Sequence, residues 1–500
     1  MSRSLLAPCP QVRRLLVCLS LVLAGMASLR NAKAEESNNR YNVLLICIDD
    51  LRPELACYGS PVAQSPHLDA LARQSLRFTR HYVQVPTCGA SRYALLTGRS
   101  PAHSRVTSNN AALYQGATAL DAKQQAGAQT LPEMFRRSGY RTVCIGKISH
   151  TPDGRVFAYN GGGDGRPELP HAWDELATPM GPWKRGWGAF FAYADGLHRE
   201  DGGRHQDLMQ FQVSRDEDLP DGLMAGAAIE QLRRLADRKE PFFLGVGFFK
   251  PHLPFVAPRG DWEAFDDVEI PLPPPGKIDS PYWHGSGEFY RYDFPFQKEK
   301  PLPAESQRQA RRAYLACVRY VDRQVGKVLA ALKKTGLEDD TIVVVWGDHG
   351  WHLGEQQIWG KHSPFEHALR SVLMIRLPGA STAGQSTDAL VETTDLYPTL
   401  VELCQPRFRE TQHPLDGRSL APLLTGKSES HRDHAVSYWR DAVSLRTADH
   451  RLVARVKDGR PERLELYDLA ADPDSAGDIA DENPQLTQTL VQQLLERLHD

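Results

Sequence analysis

Beyond residue 34 the chain has no apolar run approaching the ~20 residues that a membrane-spanning helix requires, so no internal segment reads as a transmembrane span. It also lacks a charge bias. Lys and Arg together number 59 against 62 Asp and Glu, and the formal net charge of −3 provides no broad basic field for nucleic acid or an anionic membrane. Cysteine is scarce, eight in 500 residues, and its wide, irregular spacing excludes both a paired-cysteine zinc site and a disulfide-rich scaffold. Internal repeats are missing too. What remains is 41% hydrophobic and 24% charged residues, the balance of a soluble globular protein long enough for one large core or two unequal ones.

The amino end differs from the rest. Arg13 and Arg14 precede an apolar run over 15–25, and Ala32-Lys33-Ala34 follows as a small-residue cleavage site. This predicts a signal peptide over 1–34 and an exported chain, periplasmic or secreted, with no stable membrane insertion once the signal is cleaved; an uncleaved anchor is disfavoured by the shortness of the run. Cys9 and Cys18 leave with the signal. Among the remaining six, Cys47 and Cys144 sit inside apolar stretches and read as buried structural thiols, whereas Cys88 does not.

Near-continuous apolar runs at 43–48, 142–145, 242–248, 341–346 and 372–377 predict buried parallel strands. Amphipathic stretches after Asp69 and over 131–138, 225–236 and 311–334 predict the helices between them. The expected architecture is α/β, a large mostly parallel central sheet flanked by helices. Two long excursions, over 153–218 and 255–305, are rich in Pro, Gly and aromatics and should run over one surface. After His413 short strand candidates alternate with polar turns and a final helix begins at Pro484, which predicts a smaller antiparallel unit. The division is 35–410 for the catalytic domain and 411–500 for the carboxy-terminal subdomain.

Chemistry gathers where the strands end. Asp49 and Asp50 follow the run 43–48, and Asp348 and His349 follow 341–346. Ligands of an open parallel sheet bind outside the carboxyl ends of its strands, so these four residues can converge. Adjacent carboxylates need a compensating cation, and a mainly oxygen donor set favours calcium or magnesium over zinc. Lys147 and His150 follow 142–145, Lys250 and His252 follow 242–248, and Lys361 lies shortly after the second acidic pair; Lys147, His150, His252 and Lys361 together suggest an anion pocket. Cys88 precedes the apolar stretch 93–96, which places it near the amino end of a short helix, where backbone N–H groups favour an anion; Arg92 lies one turn further on the same face.

The stretch Cys88-Gly-Ala-Ser91-Arg92, followed by Leu96-Thr-Gly98-Arg99, resembles the signature of formylglycine-dependent sulfatases. Blocks beginning at Asp49, Gly146, Lys250, Gly347 and Trp359 are similar, in the same order, to those of the iduronate-2-sulfatase group. The resemblance covers roughly 41–500 and departs from that group's disulfide framework and from its loops over 155–220 and 255–305. It implies an alkaline-phosphatase-like fold and hydrolysis of a sulfate ester on a sulfated sugar, in the narrower form a 2-O-sulfated uronate. It also implies a formylglycine derived from Cys88 through a formylglycine-generating enzyme during export, and one Ca2+ held by Asp49, Asp50, residue 88, Asp348 and His349. Arg92 would hold the formylglycine hydrate, Lys147 and Lys361 the sulfate oxygens, and His252 and His150 would share the acid and base steps, either way round. Trp283, His284, Tyr290, Arg291 and Tyr292 offer stacking and charge for a sugar. The rival expectations are a phosphomonoesterase or phosphodiesterase of the same fold, which would carry two zinc ions, and an inactive carbohydrate-binding homologue.

Overall fold

The structure is a computed structural model that describes residues 41–109, 120–274, 276, 286–457, 460–471 and 477–499. The expected signal and two of the sugar-contact candidates, Trp283 and His284, lie outside these residues.

Twelve of the strands among the described residues form the two larger sheets. They are β1 (Asn42–Ile48), β2 (Leu76–Phe78), β3 (Arg141–Gly146), β4 (Glu175–Leu176), β5 (Phe242–Phe248), β6 (Thr341–Gly347), β7 (Leu373–Arg376) and β8 (Ser386–Thr387), then β9 (Ala435–Trp439), β10 (Ala442–Arg446), β11 (His450–Lys457) and β12 (Arg460–Asp468). The first eight form one sheet in the order β8-β2-β7-β6-β1-β5-β3-β4. Its centre, β6-β1-β5-β3, is parallel throughout. The apolar runs that predict these four strands are buried along almost their whole length, as a sheet covered on both faces requires.

Side chains of β1 alternate between two cores. Leu44, Ile46 and Ile48 face one apolar cluster, and Val43, Leu45 and Cys47 face the other. Helices α2 (Pro220–Ala236) and α3 (Ala304–Lys334) fill the first side; α1 (Cys88–Thr97) and the carboxy-terminal sheet fill the second. Both long helices begin upstream of the periodic stretches that predict them, α2 on Pro220 in its first turn and α3 directly after Pro303. Proline fits there because the first turn has no intrahelical acceptor for its missing N–H.

One strand runs against expectation. The segment read as a parallel strand over 372–377 forms β7, which pairs antiparallel with β6, Leu373 opposite Trp346. A continuous apolar run signals burial on both faces and carries no direction. Between β6 and β7 the chain has one short α-helix, Glu366–Leu369, so no long crossover returns it to the start of β6. Strands β9 to β12 form an antiparallel meander, followed by α4 (Pro484–His499). Residues from β9, β10 and β11 and from α4 join the same buried cluster as the second face of the main sheet. No helix among the described residues is long and apolar enough to cross a membrane.

Candidate active site

Strands β6, β1, β5 and β3 end side by side, and each delivers polar residues to the same edge. Asp49 and Asp50 follow β1, Lys147 follows β3, Lys250 and His252 follow β5, and Asp348 and His349 follow β6. Backbone bonds fix the exits: Asp49 N–H donates to Phe248 O at 3.3 Å, Lys147 N–H to Gly247 O at 2.9 Å, and Asp348 N–H to Ile48 O at 3.2 Å. Asp50 adopts φ 60°, a left-handed turn that lets its own N–H reach Asp348 Oδ1 at 3.0 Å.

Helix α1 brings the remaining groups. All ten of its residues are buried, and Cys88 is the first of them. Asn109 Oδ1 accepts from Gly89 N–H at 2.7 Å and from Thr87 Oγ1 at 3.1 Å, which holds the amino end of the helix in place. One turn along, Arg92 is wholly buried. Its Nη2 reaches Asp49 Oδ2 at 3.1 Å, its Nε reaches Asp348 Oδ2 at 3.0 Å, and Nη1 donates to Lys147 O. Ser91 donates to Asp348 O.

Cys88 Sγ stands at the centre, 3.5 Å from Asp49 Oδ1, 3.3 Å from His349 Nε2 and 3.3 Å from Lys361 Nζ. Lys147 Nζ lies 2.6 Å from Asp49 Oδ2, and Lys361 Nζ lies 2.8 Å from Asp50 Oδ1. Burial, with Asp49 adding to it, pushes the Cys88 thiol up to about 12. An unmodified thiol there is protonated at neutral pH and is a poor nucleophile.

The carboxylates divide. Burial would raise Asp49, but Lys147 and Arg92 outweigh it and hold it well below the usual range. For Asp50 burial prevails over Lys361 and His349 and raises it well above. Asp50 Oδ2 is buried with no hydrogen-bond partner among the described residues. Asp49, Asp50, Cys88 and His349 each place one ligand atom within 4.8 Å of the others. Asp348 borders this group, with Oδ1 3.5 Å from His349 Nε2. His349 Nδ1 donates to Gly350 O at 3.1 Å, which leaves the Nε2 lone pair toward the cluster. The orphaned Asp50 oxygen and the carboxylates of Asp49, Asp50 and the bordering Asp348 supply the oxygen donors that a hard divalent cation takes, beside the His349 nitrogen and the side chain of residue 88.

Above the cluster opens a cavity of about 450 Å³, lined by Cys88, Lys147, His150, His252 and Lys361 among others. His252 Nδ1 lies 2.6 Å from Leu253 O, an acceptor only, so Nδ1 carries the proton and Nε2 is left for the cavity, 3.9 Å from Asp50 Oδ2. Burial and Lys361 lower His252 well below the usual imidazole range, and burial and Lys147 do the same to His150. Lys361 goes the other way: burial opposes its charge, but Asp50 beside it raises it well above the ordinary lysine value. The resting site therefore pairs neutral imidazoles with a charged Lys361. Lys250 is turned aside, donating to His252 O at 3.0 Å and Pro254 O at 2.5 Å, and so tethers the loop that carries His252.

Both long excursions reach the cavity. The first contributes Tyr159, Trp187, Phe190, Phe191 and Arg199; the second contributes Glu288, Arg291 and Tyr292. Tyr290, a sugar-contact candidate, packs instead against Phe289 and Phe294. Sequence reasoning missed Arg199 and Glu288, since no spacing distinguishes them from surface charges; their contact is long-range, 3.1 Å across 89 positions.

Comparison with known proteins gives a consistent result. The sulfatase family profile matches residues 41–405, and the profile described as N-sulphoglucosamine sulphohydrolase, C-terminal, matches 354–500. The chain is 30% identical over 437 residues to human iduronate 2-sulfatase, covering 84% of this chain and 75% of that one. It is 29% identical over 461 residues to a choline-sulfatase of Rhizobium meliloti, covering 89% and 83%. Among solved structures, the phosphonate monoester hydrolase of Silicibacter pomeroyi superimposes with a TM-score of 0.73 at 25% identity, covering 91% of this chain and 95% of that chain.

Proposed function

The chain belongs to the sulfatase family and is a sulfuric ester hydrolase of the alkaline-phosphatase-like fold, and from that premise we propose that it releases sulfate from an O-sulfated sugar through a formylglycine at position 88 and one calcium ion. The observation that carries the reading is the position of Cys88 Sγ, on the cavity floor within 3.5 Å of Asp49, His349 and Lys361.

Asp49, Asp50, residue 88, Asp348 and His349 are the residues that would hold calcium, which supplies positive charge against the carboxylates and the sulfate oxygens. A formylglycine supplies, as its hydrate, two hydroxyls on one carbon, one to attack sulfur and one whose deprotonation expels sulfate. The chain's own groups arrange the rest. Arg92 cannot move without breaking two buried ion pairs, so it fixes Asp49 and Asp348 relative to residue 88. Lys147 and Lys361 reach the cavity as cations for the sulfate oxygens, and their burial strengthens their effect. With Nδ1 committed to Leu253 O, His252 exchanges protons through Nε2, and Lys361 is the proton-bearing group of the resting site. His252 is assigned to the departing sugar oxygen, aided by Lys361, and His150 to the second hydroxyl.

A quaternary ammonium alcohol is less favoured because two rings of the wall already face cations: Lys147 Nζ lies 3.9 Å from the Phe190 ring centre and Arg199 Cζ 3.4 Å from that of Phe191. The narrower substrate, the 2-O-sulfate of a uronate, rests on the likeness to iduronate 2-sulfatase. Export through a leader over 1–34, maturation by a formylglycine-generating enzyme, and a division at residue 411 belong to the same reading.

The test is sulfate release from defined sulfated mono- and disaccharides, with mass spectrometry of the peptide spanning residue 88. Conversion of cysteine to the aldehyde lowers that peptide's mass by roughly 18 Da. Turnover by protein that retains the thiol at 88 would refute the formylglycine. Faster hydrolysis of phosphate esters with two bound zinc ions would favour a phosphoesterase, and saccharide binding without sulfate release an inactive homologue.

A further inference from the structure

Glu288 is a carboxylate on the wall of a cavity that takes an anion, and the hydrolysis of the ester makes no use of it. Arg199 fixes its place, donating through Nη1 to Glu288 Oε1 at 3.1 Å and to the Tyr292 hydroxyl at 2.7 Å. Arg199 is itself tied by Nε to Glu200 Oε1 at 2.8 Å and by its Cζ lying 3.4 Å from the Phe191 ring centre. One guanidinium between two carboxylates leaves this group with a unit of negative charge. Although burial works against ionisation, Lys361 and Arg199 keep Glu288 below the usual range, so it is charged at neutral pH. Its second oxygen, Oε2, accepts no hydrogen bond among the described residues, and Glu288 shares the cavity lining with Lys361.

An ionised carboxylate with a spare oxygen accepts strongly from hydroxyl groups and repels a second anion. We infer that Glu288 reads a free hydroxyl on the sugar next to the sulfated carbon, selecting a unit with that hydroxyl over one bearing a second sulfate there. This rests on the reading that the cavity binds a sulfated sugar. It adds which neighbouring group that sugar presents.

The experiment compares kcat/KM of the mature wild type, Glu288→Gln and Glu288→Ala on four substrates: a monosulfated disaccharide with the neighbouring hydroxyl, its deoxy analogue, its neighbouring disulfate, and 4-nitrophenyl sulfate. Ratios between substrates within one protein are insensitive to the fraction folded. In the wild type the hydroxyl substrate should exceed the deoxy analogue by about tenfold or more, the worth of a hydrogen bond to a charged group. Glu288→Ala should bring that ratio near one and Glu288→Gln, which keeps a neutral acceptor, should lower it part of the way; both should gain relative activity on the disulfate and lose less on the aryl sulfate than on the hydroxyl substrate. Equal losses on all four substrates, or an unchanged hydroxyl-to-deoxy ratio, overturns the inference. A wild type that hydrolyses the aryl sulfate and none of the saccharides instead removes the sugar reading itself, and the inference with it.

Discussion

Arg92 donates through Nη2 to Asp49 Oδ2 at 3.1 Å, a contact in which neither side chain is exposed. Its Nε reaches Asp348 at 3.0 Å, so one planar guanidinium joins the ends of two strands and the helix bearing Cys88. A lysine is a point donor and cannot span both carboxylates. Arg92→Lys should therefore lose about 3–5 kcal/mol, the usual cost of breaking a buried pair, along with most of the turnover. Chemical denaturation of the purified variant measures this; a loss under about 1 kcal/mol would mean that the pairs are not structural.

Asp50 carries the clearest demand for a cation, with Oδ2 buried and without a hydrogen-bond partner among the described residues. Chelation should abolish turnover, and calcium should restore it better than zinc. Asp50→Asn keeps an oxygen for Lys361 while removing the charge, and should weaken calcium binding by about tenfold or more. Calcium titration followed by melting temperature reads the affinity directly. Full turnover by protein that elemental analysis finds metal-free would end the idea.

The four central strands and the site residues at their ends were legible because burial on both faces imposes a continuous apolar run, and the polar residue that ends such a run stands at the sheet edge. Cys88 and Arg92 were legible from their spacing on one helix. The direction of β7 was not, since Leu373–Arg376 is buried alike in either sense. Neither were Arg199 and Glu288: each sits in an excursion whose path is set by tertiary packing, and the pair exists only where the excursions meet. Lys250 leaves its strand end as Lys147 does, yet its neighbours turn it toward backbone carbonyls.

Acid stability should report on His81, which does not line the cavity. It is fully buried, with Nε2 3.0 Å from Thr393 Oγ1, and burial lowers it to about 4. The unfolded chain titrates near ~6.5, so between about pH 6.5 and 4 the unfolded state binds the extra proton, and stability falls as pH falls through that window. The ceiling is roughly 3 kcal/mol. Asp221 and Asp322, raised by burial to about 6 and about 7, act in the opposite sense: their folded forms keep protons that the unfolded chain releases, and stability falls as pH rises. The difference between wild type and His81→Gln isolates the histidine. Denaturation midpoints at pH 7 and pH 4.5 should diverge less in the variant; an identical pH dependence would remove His81 from the account.

Two glycines test opposite consequences of adding one methyl group. Gly247, at the end of the apolar run in β5, packs where a Cβ would stand 2.1 Å from Lys147 O and 2.3 Å from Lys147 C, so the neighbouring strand's exit would have to shift. That exit sets the reach of Lys147 to Asp49 and supplies the carbonyl that Arg92 holds. Gly247→Ala should cost about 1–3 kcal/mol as overpacking and lower turnover beyond what lost stability explains, because it displaces a cation of the sulfate pocket. Gly226 lies in the interior of α2, exposed, with no atom within 4 Å of the place a Cβ would take and no positive φ. There the methyl group meets no obstacle and restricts the unfolded chain, so Gly226→Ala should stabilise by about 0.5–1 kcal/mol and leave turnover alone. Thermal and chemical denaturation of the two variants beside a sulfate-release assay decides both. A Gly247→Ala protein with wild-type turnover would mean that the strand ends can slide without disturbing the site, which the shared Arg92 contacts argue against.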